Sequence, residues 1–174
     1  MLNALKKQLV SLSETDKKRF MSVLKKKAGS GDAKLFADPI KNFILVMPEM
    51  ISQISVWSEQ DTINPEVRRL HGYVLTYLYH PVDFLHDEGY GFFGYLDDAY
   101  LIGLAYRTTM EHVDQSKLRY LPNQTDLGRQ IDGWLASAKK IIPKESAQID
   151  KMIQDLLSGQ QSSFQHVLAG SGRK

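Results

Sequence analysis

The residues best equipped for chemistry crowd into one stretch, His80-Pro-Val-Asp-Phe-Leu-His-Asp-Glu-Gly-Tyr-Gly-Phe-Phe-Gly-Tyr-Leu-Asp-Asp98. Asp83, His86, Asp87, Asp97 and Asp98 are its candidate acidic and metal-binding cluster. Carboxylates gathered by a turn between helices can hold a hard divalent cation such as Mg²⁺ or Ca²⁺ through oxygen, pair with Arg68 and Arg69, or cap helix N-termini. Capping is the expected role: Asp97 and Asp98 fall in the first turn of a helix, where acids complement the helix dipole, and Asp83 follows a proline in a turn. No cofactor is therefore expected beyond, at most, a divalent cation. His71, His112 and His166 stand apart from this company and are expected as surface or half-buried residues. No Gly-x-Ser-x-Gly elbow accompanies the histidines, so nucleophilic hydrolysis has no positive support and no catalytic residue is assigned.

Gly89-Tyr-Gly-Phe-Phe-Gly94 spells the dinucleotide fingerprint, but that motif works between a strand and a helix N-terminus, and here a helix and loop precede it. Bulky aromatics fill its spaces, and Asp97 and Asp98 would repel a phosphate. Phe84-Leu-His-Asp-Glu-Gly89 resembles the signature of the HD metal-dependent phosphohydrolases, which implies an upstream ligand histidine about seven helical turns away; His80 and His71 are too near. A longer resemblance runs over residues 64–105. Asn64-Pro65, Arg68, Arg69, Tyr77-Leu-Tyr-His-Pro81, Asp83 and Gly94-Tyr-Leu-Asp-Asp98 resemble the YkvA-type bacterial domain of unknown function, two helices joined by a Pro-x-Asp loop with Gly-x-x-Asp-Asp opening the second. The sequence departs from that pattern at 86–93, where His86-Asp87 replaces Pro-Asp and no second proline follows. The resemblance implies a fold more than a function.

Helices must position this stretch. Leu2, Leu5, Leu9 and Leu12 recur at helical spacing, and Ser13-Glu-Thr-Asp16 reads as the start of a second helix with Phe20, Val23 and Leu24 inward. Gly29-Ser-Gly31 reads as a hinge. From Asp38-Pro39 one apolar stripe, Ile40, Phe43, Ile44, Met47, Ile51 and Ile54, crosses Pro48, predicting either one kinked helix or two that abut with Pro48 in the first turn of the second. Asn64-Pro65-Glu66 is a strong helix start, and the helix it opens, with Val67, Leu70, Val74, Leu75 and Leu78 inward, is expected to end at His80-Pro81. Further helices are predicted from Tyr95 to Asp114, from Leu127 to Ile142 and from Pro143 through Leu156, before a frayed tail. No alternating run rich in valine or threonine suggests a strand. The expected fold is all-α, a compact bundle of six to eight helices with a central helix-loop-helix, divided as 1–28, a basic segment, 33–158, the YkvA-like domain, and 159–174, the tail.

Composition narrows the function classes. At 43% hydrophobic and 24% charged, with no cysteine, the chain reads as a globular protein without disulfides, thiolate metal sites or cysteine nucleophiles. No apolar run reaches the ~18 residues of a membrane span, no signal-peptide pattern opens the chain, and the cytoplasm is the expected location. The net charge of +2 hides a polarity, with nine Lys and Arg against three acids in residues 1–34. Lys6, Lys7, Lys17, Lys18, Arg19, Lys25, Lys26 and Lys27 form a candidate contact surface for nucleic acid or an anionic membrane surface, and a solvated face is the plainer expectation. Tyr90, Phe92, Phe93 and Tyr95 form a candidate aromatic interface, or the plug that closes a core. The expected function is association, as a scaffold, adaptor or accessory subunit whose partner is another protein. The rival is a metal-dependent phosphohydrolase built on the acidic loop.

Overall fold

A computed structural model describes residues 2–77, 90–122 and 126–159. The fold is all-α; among the described residues there is no strand and there are eight α-helices: α1 (Leu2–Thr15), α2 (Lys17–Ala28), α3 (Ala33–Leu45), α4 (Met47–Ser58), α5 (Pro65–Tyr77), α6 (Leu96–His112), α7 (Leu127–Ile141) and α8 (Pro143–Ser158). Short 3₁₀ helices at Gly91–Tyr95 and Gln115–Lys117 sit at either end of α6.

The bundle is built around α6. Eleven of its 17 residues are buried, too many for one face, and it packs against α3, α4, α5, α7 and α8. Small residues let its neighbours come close: a Cβ on Gly103 would lie 2.6 Å from the ring of Phe43 on α3. Phe43 in turn stacks on Trp134 of α7, with ring centroids 5.8 Å apart. The basic N-terminal helices share this core, because Leu9, Phe20 and Leu24 are buried in it and α1 and α2 pack on α3, α4 and α7.

The two prolines of the apolar stripe behave differently. At Pro48 two helices abut: α3 ends at Leu45 and α4 begins at Met47, so the proline is the second residue of α4, where its missing N–H has no helical acceptor to lose. Pro39 lies inside α3, which starts at Ala33, earlier than the Asp38-Pro39 boundary expected from sequence. The N–H that proline lacks would have bonded the Leu35 carbonyl. Leu35 is 71% exposed, so water can take that carbonyl and the helix tolerates the proline.

Other boundaries follow local chemistry. Asn64 Oδ1 accepts from Val67 N–H at 2.9 Å and caps α5. Pro143 opens α8, and Gly159 closes it in the left-handed conformation at φ 75°. The expected end of α5 at His80-Pro81 and the tail after Gly159 lie outside the described residues.

Candidate functional site

Of the acidic cluster, Asp83, His86 and Asp87 lie outside the described residues, while Asp97 and Asp98 occupy the first turn of α6 as expected. Asp97 is buried there and Asp98 half-buried. Among the described residues, no three of His, Asp and Glu come together as metal ligands would.

The glycines and aromatics of the central stretch have a packing role. Phe92 and Phe93 are buried, as the plug alternative expects and a docking patch does not. Phe92 meets Phe20 of α2 edge-on at 5.5 Å, and Phe93 lies 6.3 Å from the same ring. Tyr90 and Tyr95 are half-buried at the margin, with Gln8 donating to the Tyr95 hydroxyl at 2.9 Å. This is a plug, joining the start of α6 to the basic helices.

Asp16 fastens it. Expected as a residue of α2's first turn, it makes no side-chain cap; its Oδ2 accepts from Phe92 N–H at 2.9 Å instead. The carboxylate comes so near Gly91, at φ 56°, that a Cβ there would stand 2.0 Å from Oδ2. Gly91 is thus a glycine because Asp16 approaches it and its backbone is left-handed. We expect Asp16→Ala and Gly91→Ala each to cost about 1–2 kcal/mol. The double variant should cost less than the sum, since without the carboxylate the new methyl has room; urea titrations of all four proteins measure the coupling.

The eight basic candidates divide into two sets. Lys6 pairs with Glu49 at 2.6 Å, Lys17 with Glu14 at 2.5 Å, and Lys27 with Glu145 at 3.7 Å. Lys7 is exposed on α1. Lys18, Arg19, Lys25 and Lys26 are exposed on α2 and, among the described residues, make no ion pair. Their positions fall on the side of α2 opposite Phe20 and Leu24, which are buried. The face that anchors the helix and the face that carries the charge are therefore distinct.

A cleft of about 600 Å³ between α6, α7 and α8 was not foreseen from sequence. Leu104, Leu135 and Ile153 contribute its apolar lining. Tyr100 donates to Asp150 Oδ1 at 2.6 Å, and Lys139 reaches Asp150 Oδ2 at 2.5 Å. Burial, then the Asp150 carboxylate, pushes the Tyr100 phenol well above its ordinary range. Arg107 bridges Glu111 at 2.8 Å and Asp132 at 3.0 Å. These charges already have partners across the rim, so the cleft displays little unmatched charge. The residues come from three helices and 11 to 50 positions apart, with no motif to announce them.

His71 is fully buried, not the surface or half-buried residue expected. Its Nε2 stands 2.7 Å from Thr109 Oγ1, and that hydroxyl donates to the Ala105 carbonyl at 2.9 Å. The threonine proton being spent, its oxygen accepts and Nε2 carries the imidazole proton. The ring joins α5 to α6 as a neutral core group.

Among the described residues no helix is long and apolar enough to cross a membrane. Compared with family models, curated proteins and solved structures, the chain matches none.

Proposed function

We propose that the protein acts by association with an anionic partner through its basic N-terminal helices, as an adaptor or accessory subunit. The observation that carries this reading is the outward face of α2, where Lys18, Arg19, Lys25 and Lys26 stand without acid partners among the described residues, on a helix whose opposite face is locked into the core. Unpaired cations held on a rigid element keep their full attraction for an anionic surface, whereas those already in ion pairs must first exchange partners. The YkvA-like reading of residues 64–105 belongs to the same proposal, with α5 and α6 as the scaffold that holds the basic helices. The cytoplasm is the location that goes with it.

Deleting residues 1–28 would be a poor test, because it removes Leu9, Phe20 and Leu24 from the core. Charge reversal leaves the core intact. The parent should be retained on immobilised heparin near physiological salt and elute as salt rises, because the contacts release counterions. A variant carrying Lys18→Glu, Arg19→Glu, Lys25→Glu and Lys26→Glu should pass through the column with its helical circular dichroism unchanged. Equal retention of parent and variant would sink the reading.

A further inference from the structure

The fold brings cations from outside the N-terminal segment together with three of its own at one end of the bundle. The C-terminus of α2 carries Lys25, Lys26 and Lys27; a turn at residues 29–32 leads directly to Lys34 at the start of α3. Lys140 near the end of α7 places its ammonium 5.8 Å from the centroid of the Phe36 ring on α3. Glu145, the neighbour of Lys144 in the first turn of α8, lies 3.7 Å from Lys27. Two helix-to-helix corners, α2 to α3 and α7 to α8, thus stand side by side. Lys25, Lys26, Lys27, Lys34, Lys140 and Lys144 are all exposed there, against Asp32, Asp38 and Glu145. Lysines in a last helical turn complement the helix dipole, which accounts for those on α2 and α7 but not for Lys34 and Lys144 at helix starts, where the dipole disfavours them.

Next to Lys34 in the first turn of α3 is Leu35, 71% exposed and the more exposed of two large apolar side chains, the other being Val10 at 49%, that stand out from the surface among the described residues. An aliphatic side chain held in water gains nothing from a phosphodiester backbone. A nucleic-acid surface would be better served by an exposed aromatic for base stacking, and at this end Phe36 is half-buried beside Lys140. An exposed leucine at an end of the bundle that also carries exposed lysines suits the boundary between headgroups and acyl chains of an anionic bilayer, where the apolar group enters and the ammonium groups remain at the phosphates.

We infer that the end of the bundle that carries Lys25, Lys26, Lys27, Lys34, Lys140 and Lys144 docks on an anionic lipid membrane surface, with the exposed Leu35 entering the interface. The inference rests on the proposed association through the basic helices and names its partner.

The full chain is tested by co-sedimentation with phosphatidylcholine vesicles and with vesicles in which about one-third of the lipid is phosphatidylglycerol. Binding is expected to the second and not the first. Lys25→Glu, Lys26→Glu and Lys34→Glu together should weaken it at least about tenfold, and Leu35→Ser about fivefold, with folding unchanged because these side chains are exposed. The only two tryptophans, Trp57 and Trp134, are buried, so Leu35→Trp adds an exposed reporter whose emission should move to the blue on the anionic vesicles. Vesicle binding that ignores the lysine variants, or that leaves the Leu35→Trp emission unmoved, would overturn the inference. Retention on heparin or duplex DNA with no vesicle binding would overturn it too, leaving the broader association through α2 standing. Failure to bind any of these polyanions would overturn both.

Discussion

Gln53→Leu should destabilise the protein by about 2–4 kcal/mol, lowering Tm by roughly 5–12 °C, although it swaps a polar core residue for an apolar one of similar size. Gln53 sits on α4 with no exposed surface, and its amide is spent on the chain beyond α6. Nε2 donates to the Arg119 carbonyl at 2.8 Å, and Oε1 accepts from Leu121 N–H at 2.8 Å. Gln60, two turns further along, repeats the device: Nε2 donates to the Lys117 carbonyl at 3.1 Å and Oε1 accepts from Arg119 N–H at 2.9 Å. The chain that leaves the 3₁₀ helix at Leu118, through Leu121, is thereby held against α4, with Leu118 buried and Arg119 exposed, and Tyr120 meets Trp57 edge-on at 5.6 Å. A leucine at 53 supplies neither bond, so a backbone C=O and an N–H lose their partners inside the protein, and each such loss costs about 1–3 kcal/mol. Gln60 is only partly buried, so water can replace its amide and Gln60→Leu should cost less than about 1 kcal/mol. Thermal melts of the two variants give the comparison. Equal, small losses would mean that water reaches this segment as easily at Arg119 and Leu121 as at Lys117.

Gln53 also shows where the sequence ceases to be informative. The apolar stripe through Ile51 and Ile54 identified α4 as a core helix, and Asn64, Pro143 and Gly159 marked helix ends through interactions that span only a few residues. Such signals are local, and the all-α bundle could be read from them. Gln53 is buried because its partners are 66 and 68 residues away, and nothing in its own neighbourhood distinguishes it from a surface glutamine. Asp16 is the same case, with the local pattern of a helix start but a partner 76 residues distant. The basic surface was legible only in part. Eight cations of the first two helices stand out as clumps, yet Lys34, Lys140 and Lys144 join Lys25–27 only because two corners of the bundle meet, and the structure rather than the spacing decides which lysines are already paired. The central stretch hides its packing role for a related reason. Its glycine spacing imitates a nucleotide motif while Gly91 answers to the approach of Asp16, a constraint written in the geometry of another helix.

Acidification from pH 7 to pH 4.5 should destabilise the fold through one buried base, His71. Its imidazole is held down to a pKa of about 4, first by burial and then by the positive charge of Arg68 one turn earlier in α5. In the unfolded chain the same group titrates near 6.5. Above pH 6.5 neither state binds the proton and the group contributes its full stability. As pH falls through the window from 6.5 to 4, the unfolded chain takes up a proton that the native core refuses, so stability declines at up to about 1.4 kcal/mol per pH unit and levels off below pH 4, a total of about 3 kcal/mol. Accepting the proton inside the fold would set a second N–H at Nδ1, which has no hydrogen-bond partner among the described residues, beside α6's packed core. Glu14 and Asp114 have carboxyls lowered below their ordinary values by Lys17 and Ser116, so their contributions fade as pH falls further, mostly below the range in which the histidine acts. His71→Gln separates the terms: its amide can still donate to Thr109 but does not titrate. Urea unfolding at pH 7 and pH 5 should show the variant less stable than the parent at pH 7 yet losing about 1–2 kcal/mol less between the two pH values. A variant whose stability falls as steeply as the parent's would place the acid sensitivity elsewhere than in the contact that joins α5 to α6.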